Sequence, residues 1–230
     1  KSFLLQTIRN YATEKGFVVV DADLSPERRL QGTRGQGLAT YKELIRNMST
    51  KTKPEGGALS LILDRWISNV QQEVMASENL SVTSAQLPGL VEKRISAVIY
   101  SLNEMVHGFD FARLLTLYYQ AYIAGDDETK AKVLKWFRGE YGTKTEARQE
   151  LGVHMVITDD DWYEYLKLFA CFLKQAGYAG MLILIDELVN IYKIPNAITR
   201  QYNYEKILTM YNDTMQGKAQ HLGLILCGTP

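Results

Sequence analysis

The chain has 230 residues, enough to bury a sizeable core as one large domain or two small ones. Its 26 Lys and Arg balance 26 Asp and Glu, which excludes a global field favouring nucleic acid or membrane; the first 53 residues are locally basic, ten Lys and Arg against five Asp and Glu. No window approaches the roughly 18 to 20 apolar residues of a membrane span, and no signal peptide is legible, so the expectation is a cytoplasmic protein with no membrane partner.

Lys1-Ser2 runs directly into Phe-Leu-Leu-Gln-Thr-Ile-Arg, whose apolar spacing predicts a helix over 2–14 that stops at Lys15-Gly16. Lys-Ser at the head of a helix is how a phosphate-binding loop, Gly-x-x-x-x-Gly-Lys-Ser/Thr, ends; the glycines do not precede it here, and the dipeptide alone is a weak signal. Phe17 to Asp21 is short and β-branched and reads as a strand. A helix between two strands of one sheet implies a right-handed crossover and parallel pairing.

That strand exits into Ala22-Asp-Leu-Ser-Pro-Glu-Arg-Arg29 and then Gly32-Thr-Arg-Gly-Gln-Gly37. The glycines match no dinucleotide fingerprint. One reading is a flexible, solvated turn; the other has Arg28, Arg29 or Arg34 reaching a nucleotide phosphate or a neighbouring subunit, as arginine fingers do.

From about 38 to 179 the pattern is almost wholly helical, with helices expected over 39–48, 58–77, 90–106, 111–124, 128–138, 144–151 and 160–175. Lys53-Pro-Glu-Gly-Gly57, Leu87-Pro-Gly89, Gly125-Asp-Asp127, Tyr141-Gly142 and Thr158-Asp159 punctuate them, and Asp126-Asp127 and Thr158-Asp159 suit helix amino ends. A βαβ crossover needs only a dozen or so residues, so a stretch of this size reads as an insertion packed as its own subdomain on one side of the sheet. Its aromatics, Tyr118, Tyr119, Tyr122, Trp136, Phe137, Trp162, Tyr163, Tyr165 and Phe169, recur at helical spacing and read as core rather than base-stacking groups. Arg138, Lys144 and Arg148 read as a solvated face.

Met181-Leu-Ile-Leu-Ile-Asp-Glu187 is an unbroken apolar run ending in two acids, as suits a parallel strand covered on both faces. Its acids then sit at the carboxyl edge of the sheet, where ligands bind in open α/β folds; alternatively, Asp186 merely caps a helix starting near Leu188. A short helix to Tyr192, a helix over 196–216 with Ile198, Tyr202, Ile207, Leu208 and Tyr211 towards the sheet, and a second apolar strand from Leu222 ending at Thr229 complete a further βαβ unit. Cys171 and Cys227 lack metal or redox spacing and read as buried thiols, His107, His154 and His221 carry no assigned role, and no serine or cysteine hydrolase signature is present.

Lys-Ser before a helix, an apolar strand with Asp-Glu and an apolar strand with terminal Thr follow the order of a P-loop ATPase of the extra-strand, AAA-like type. In that scheme Lys1 contacts the β- and γ-phosphates, Ser2 and Asp186 hold Mg²⁺, and Glu187 orients and deprotonates the attacking water. Thr229, on a strand expected between these two elements, senses the γ-phosphate or holds that water. The fold class is then α/β, a P-loop NTPase core over 1–37 and 178–230 with an all-helical insertion over 38–177, between the second strand and the Walker B strand.

Val20-Asp-Ala-Asp-Leu-Ser-Pro-Glu-Arg28, Gly35-Gln-Gly-Leu38 and Leu184-Ile-Asp-Glu-Leu-Val-Asn190, together with Lys1-Ser-Phe-Leu-Leu5, resemble the P-loop ATP-binding proteins of bacterial BREX (bacteriophage exclusion) phage-defence loci. The resemblance spans most of the chain. It implies an AAA-like ATPase domain acting with partner proteins or DNA in defence against phage; the reading of the residues adds ATP and Mg²⁺ as cofactors, Arg28 as a further nucleotide contact and further copies of the chain as a partner. Relative to that pattern the glycine loop before Lys1 and a lid and arginine sensor after Pro230 are absent, so a fragment of a longer protein is expected. The competing expectations are an ATP-binding scaffold with little hydrolysis and a helical interaction module with a vestigial P-loop.

Overall fold

A computed structural model of the protein describes residues 2–228. In chain order the elements are α1 (Ser2–Glu14), β1 (Phe17–Asp23), α2 (Gln36–Arg46), α3 (Leu59–Ser77), α4 (Leu87–Leu102), α5 (Gly108–Ala124), α6 (Asp127–Phe137), α7 (Lys144–Leu151), α8 (Trp162–Gln175), β2 (Gly180–Asp186), α9 (Val189–Tyr192), α10 (Ala197–Met215) and β3 (Leu222–Leu226). The result is a mixed α/β fold with a small parallel sheet.

Among the described residues the strand order is β1-β2-β3, with both pairings parallel and Phe17 to Asp23 of β1 in register with Gly180 to Asp186 of β2. Parallel strands covered on both faces read as continuous apolar runs, yet their side chains still alternate. Phe17, Val19, Leu182, Leu184 and Ile225 pack with Leu5, Ile8 and Ala12 of α1. Val18, Val20, Ala22, Met181, Ile183 and Ile185 enter the larger core on the opposite face, which is continuous with the helical layer. The outer edge of β1 is covered: Ser49 makes an antiparallel bridge to Val19, and Arg9 of α1 donates to the Asn47 carbonyl and the Ser49 hydroxyl. That cover removes unpaired edge groups that would otherwise be open to another strand.

The helical layer is organised on α8, which runs beside β2 and is buried nearly all round. Phe169 and Phe172 meet Phe111, Phe137 and Trp66 edge-on at centroid distances of 4.9 to 6.4 Å, the geometry aromatic quadrupoles favour. Trp136 satisfies its indole N–H on the Met155 carbonyl, and Tyr41 donates to the Phe137 carbonyl. Every aromatic named above in the helical stretch is buried except Tyr122, which is half-buried. They are core, as their spacing suggests.

Several local expectations are corrected. Leu87-Pro88-Gly89 is the first turn of α4 and not a break before it, since proline at the start of a helix gives up an N–H that has no intrahelical partner anyway. On α10 the apolar side chains Ile198, Tyr202, Leu208 and Tyr211 are exposed, while Asn203, Met210 and Asp213 are buried, and only Ile207 of the predicted face packs on the core. The inward face of this helix is held by hydrogen bonds and an ion pair: Asn203 bonds the chain at 30–31, and Asp213 pairs with Lys167 at 3.0 Å. Cys171 and Cys227 are half-buried free thiols. No helix among the described residues is long and apolar enough to cross a membrane.

Candidate functional site

β1 and β2 end together: Asp23 and Asp186 are register partners, and because register partners in a parallel pair share a face, both carboxylates belong to the face that α1 covers. Two residues earlier on the same face, Asp21 meets Arg9 of α1 at 2.6 Å. Burial pushes the Asp21 carboxyl above its ordinary value, against the pull of the Arg9 guanidinium and the Asn47 amide. Helix α1 leads into β1 through a tight turn and therefore runs back along it. From Arg9 to Ser2 the helix climbs about 10 Å at 1.5 Å per residue, while β1 advances only about 7 Å from Asp21 to Asp23. The amino end of α1 therefore arrives at the carboxyl edge of the sheet, on the side of Asp186. The first-turn backbone N–H groups, which have no partner within the helix, and the positive end of the helix dipole collect there, as suits an anion.

The turn after β2 is sharply specified. Asp186 is 9% exposed, and its Oδ1 accepts a hydrogen bond from the Glu187 N–H at 2.6 Å. Glu187 adopts φ +60°, a left-handed conformation that non-glycine residues take at a cost of roughly 1–2 kcal/mol. Leu188 N–H donates to the Cys227 carbonyl and Cys227 N–H to the Ile185 carbonyl, which carries the β2–β3 ladder past the end of β3 and lays the chain at 227–228 against the Asp-Glu turn. A Cβ added at Gly228 would sit 3.3 Å from the Leu188 Cβ, so any side chain there requires Leu188 to give way by a few tenths of an ångström.

The turn after β1 faces it. Ser25 closes a compact loop: its N–H donates to the Arg28 carbonyl, and its Oγ accepts from the N–H groups of Glu27 and Arg28. Arg28 Nε donates to the Asp23 carbonyl at 2.9 Å. The two turns are tied together at Leu24, whose N–H donates to the Asp186 carbonyl at 3.0 Å and whose carbonyl accepts from Asn190 Nδ2 at 2.8 Å. Thus the Asp-Leu-Ser-Pro-Glu-Arg and Asp-Glu-Leu-Val-Asn stretches, remote in sequence, form one edge.

Farther on, the glycine-rich stretch is tethered, in contrast to a freely solvated turn. Gly35 N–H and Leu38 N–H both donate to the Asp159 carboxylate, at 2.7 and 2.8 Å, so Asp159 caps α2 across the fold and does not cap its own helix, α8. Trp162 Nε1 donates to the Leu30 carbonyl, and a Cβ at Gly37 would come within 2.9 Å of that same Nε1. Arg29 is half-buried and Arg34 is exposed on the outside of this loop.

Of the residues expected at the site, Asp186, Glu187 and Arg28 come together at the carboxyl edge, and the backbone of Ser2 opens the helix that reaches it. Lys1 and Thr229 lie outside the described residues. Asp159 was expected only at a helix amino end, and Leu24 and Asn190 stand within quoted blocks without a role of their own; nothing local shows that the Asn190 amide serves a loop 166 residues away. The carboxyl edge offers oxygen donors, and among the described residues no three His, Cys, Asp or Glu side chains gather into a metal cage. Such a donor set suits a small hard cation that keeps water and substrate oxygens in its shell.

A family model described as BREX system ATP-binding protein BrxC/D matches residues 1–230. No curated protein and no solved structure matches the chain.

Proposed function

The chain belongs to the BREX system ATP-binding protein BrxC/D family, and from that premise we propose that it binds ATP with Mg²⁺ at the carboxyl edge of β1 and β2 and hydrolyses it to ADP and phosphate. What supports this reading is that the α1 amino end and Asp186 share one edge and one face of the sheet, with Glu187 in the turn that follows directly. An AAA-like P-loop core over 1–37 and 178–230 accounts for the topology, with 38–177 as the helical insertion that responds to nucleotide state.

Phosphoryl transfer asks for positioning and charge more than for covalent chemistry. The phosphates would be received by the amino end of α1 and Lys1, with Arg28 adding a forked cation from the β1 turn. Ser2 and Asp186 would hold Mg²⁺, which supplies neutralisation of phosphate charge when bound. Glu187 would take the proton of the attacking water, its left-handed backbone setting the carboxylate apart from that of Asp186, while Thr229 would hold the same water or the γ-phosphate. The coupled partners in this reading are the other proteins of the defence system.

The test is equilibrium binding of MgATP and steady-state turnover by the full-length protein and its Glu187→Gln variant. Binding should persist in the variant while turnover falls by at least about a hundredfold, the size of a lost general base. Full turnover in Glu187→Gln would remove that residue from the chemistry, and absence of ATP binding by the unaltered protein would overturn the reading itself.

A further inference from the structure

Leu24 is 2% exposed, so its backbone groups cannot turn to water for partners and must be satisfied by protein. Both partners come from one short segment: the Asp186 carbonyl takes its N–H, and the Asn190 side-chain amide donates to its carbonyl. Asn190 also uses its own backbone, its N–H donating to the Glu187 carbonyl at 3.0 Å and closing the turn that holds the strained acid. One residue therefore braces the Glu187 turn from behind and the Asp23–Arg28 turn from the side. Arg28 is fixed in turn by the Nε bond to Asp23, while its two terminal amino groups make no hydrogen bond among the described residues. A guanidinium gripped at Nε with its fork uncommitted is arranged to meet an oxyanion in a defined direction.

We propose that Asn190 is a positioning residue for Arg28: by holding Leu24 it keeps the β1 turn, and the arginine on it, aligned with the Asp186–Glu187 edge for the terminal phosphate of a nucleoside triphosphate. This deepens the ATP reading above and rests on it. Because the brace acts on the arginine and not on the nucleotide, its removal should cost the ligand whose outermost phosphate needs Arg28 more than the ligand lacking that phosphate. An amide that merely packed the loop would affect both alike.

The experiment is a double-mutant cycle in the full-length protein, measuring Mg²⁺-dependent binding of ATP and of ADP to the unaltered protein, Arg28→Ala, Asn190→Ala and the double variant. Asn190→Asp, isosteric but with no N–H to donate to Leu24, serves as the second probe and keeps the test valid should Asn190→Ala fold poorly. The expected result is an affinity for ATP about tenfold lower in Asn190→Ala, Asn190→Asp and Arg28→Ala, the order of one lost charge-assisted bond. ADP affinity should change no more than about twofold, and the double variant should bind as Arg28→Ala does, since coupled residues are not additive. Additive losses, equal losses for ATP and ADP, or an undisturbed Asn190→Asp would each overturn the inference while leaving ATP binding intact. Failure of the unaltered protein to bind ATP would instead overturn the functional reading and this inference with it.

Discussion

Replacing Asn203 by alanine should remove the main tether between α10 and the chain leaving β1. Asn203 is fully buried; its Oδ1 accepts from the N–H groups of Leu30 and Gln31, both at 3.0 Å, and its Nδ2 donates to the carbonyls of Gln31 and Thr199, both at 2.9 Å. Thr199 keeps its place in the helix ladder, so the truncation strands two N–H groups and one carbonyl. At about 1 kcal/mol net per bond, and more for the Leu30 N–H because Leu30 is itself fully buried, the loss comes to roughly 3–4 kcal/mol. For a chain of this size that corresponds to a fall in melting temperature of roughly 10 °C. Urea unfolding followed by circular dichroism measures it, with Asn203→Leu as a companion that refills the space without restoring a single bond. Both variants should lose stability, and the amides of Leu30 and Gln31 should exchange with solvent faster. A loss below about 1 kcal/mol in both, with those amides still protected, would refute the tether.

Asp159→Ala should destabilise by about 1–2 kcal/mol in chemical unfolding, the worth of a helix cap, even though the helix it uncaps begins more than a hundred residues earlier. Lys167→Met should cost about 2–3 kcal/mol, because it leaves the buried Asp213 carboxylate without the ammonium that meets it at 3.0 Å, the two side chains being only 11% and 13% exposed. Burial depresses the Lys167 ammonium, but its bonds to Glu164 and Asp213 prevail and hold its pKa above the ordinary 10.5. The stabilisation from this raised pKa is thus fully present below the ordinary lysine value and is lost as pH rises through the folded-state value. Urea midpoints across the alkaline range should show that loss in the unaltered protein and less of it in Lys167→Met.

Legibility in the sequence followed the range of the forces involved. The strands and most helices were readable because apolar periodicity and punctuation are local, and Asp126 caps α6 where its position suggested. The place of the Asp-Glu pair at the carboxyl end of a parallel strand was readable because an unbroken apolar run that stops on two acids marks where a covered strand ends. The inward face of α10 was misread because hydrophobicity chooses Ile198, Tyr202, Leu208 and Tyr211, whereas the fold buries Asn203 and Asp213 and pairs them with residues far away in sequence. The order of the glycine-rich stretch was hidden for the same reason: its restraint comes from Asp159, Trp162 and Asn203, none of them near it in the chain.

The left-handed backbone of Glu187 bears on how this protein can be improved. Glycine holds that conformation without the crowding a Cβ brings, so selection for heat resistance alone pulls position 187 towards glycine and away from an acid. A thermostability screen blind to nucleotide turnover would therefore tend to discard the one carboxylate proposed to act on water. Stabilising changes are better sought among the exposed apolar side chains of α10, where added polarity alters solubility without touching the edge on which the two turns meet.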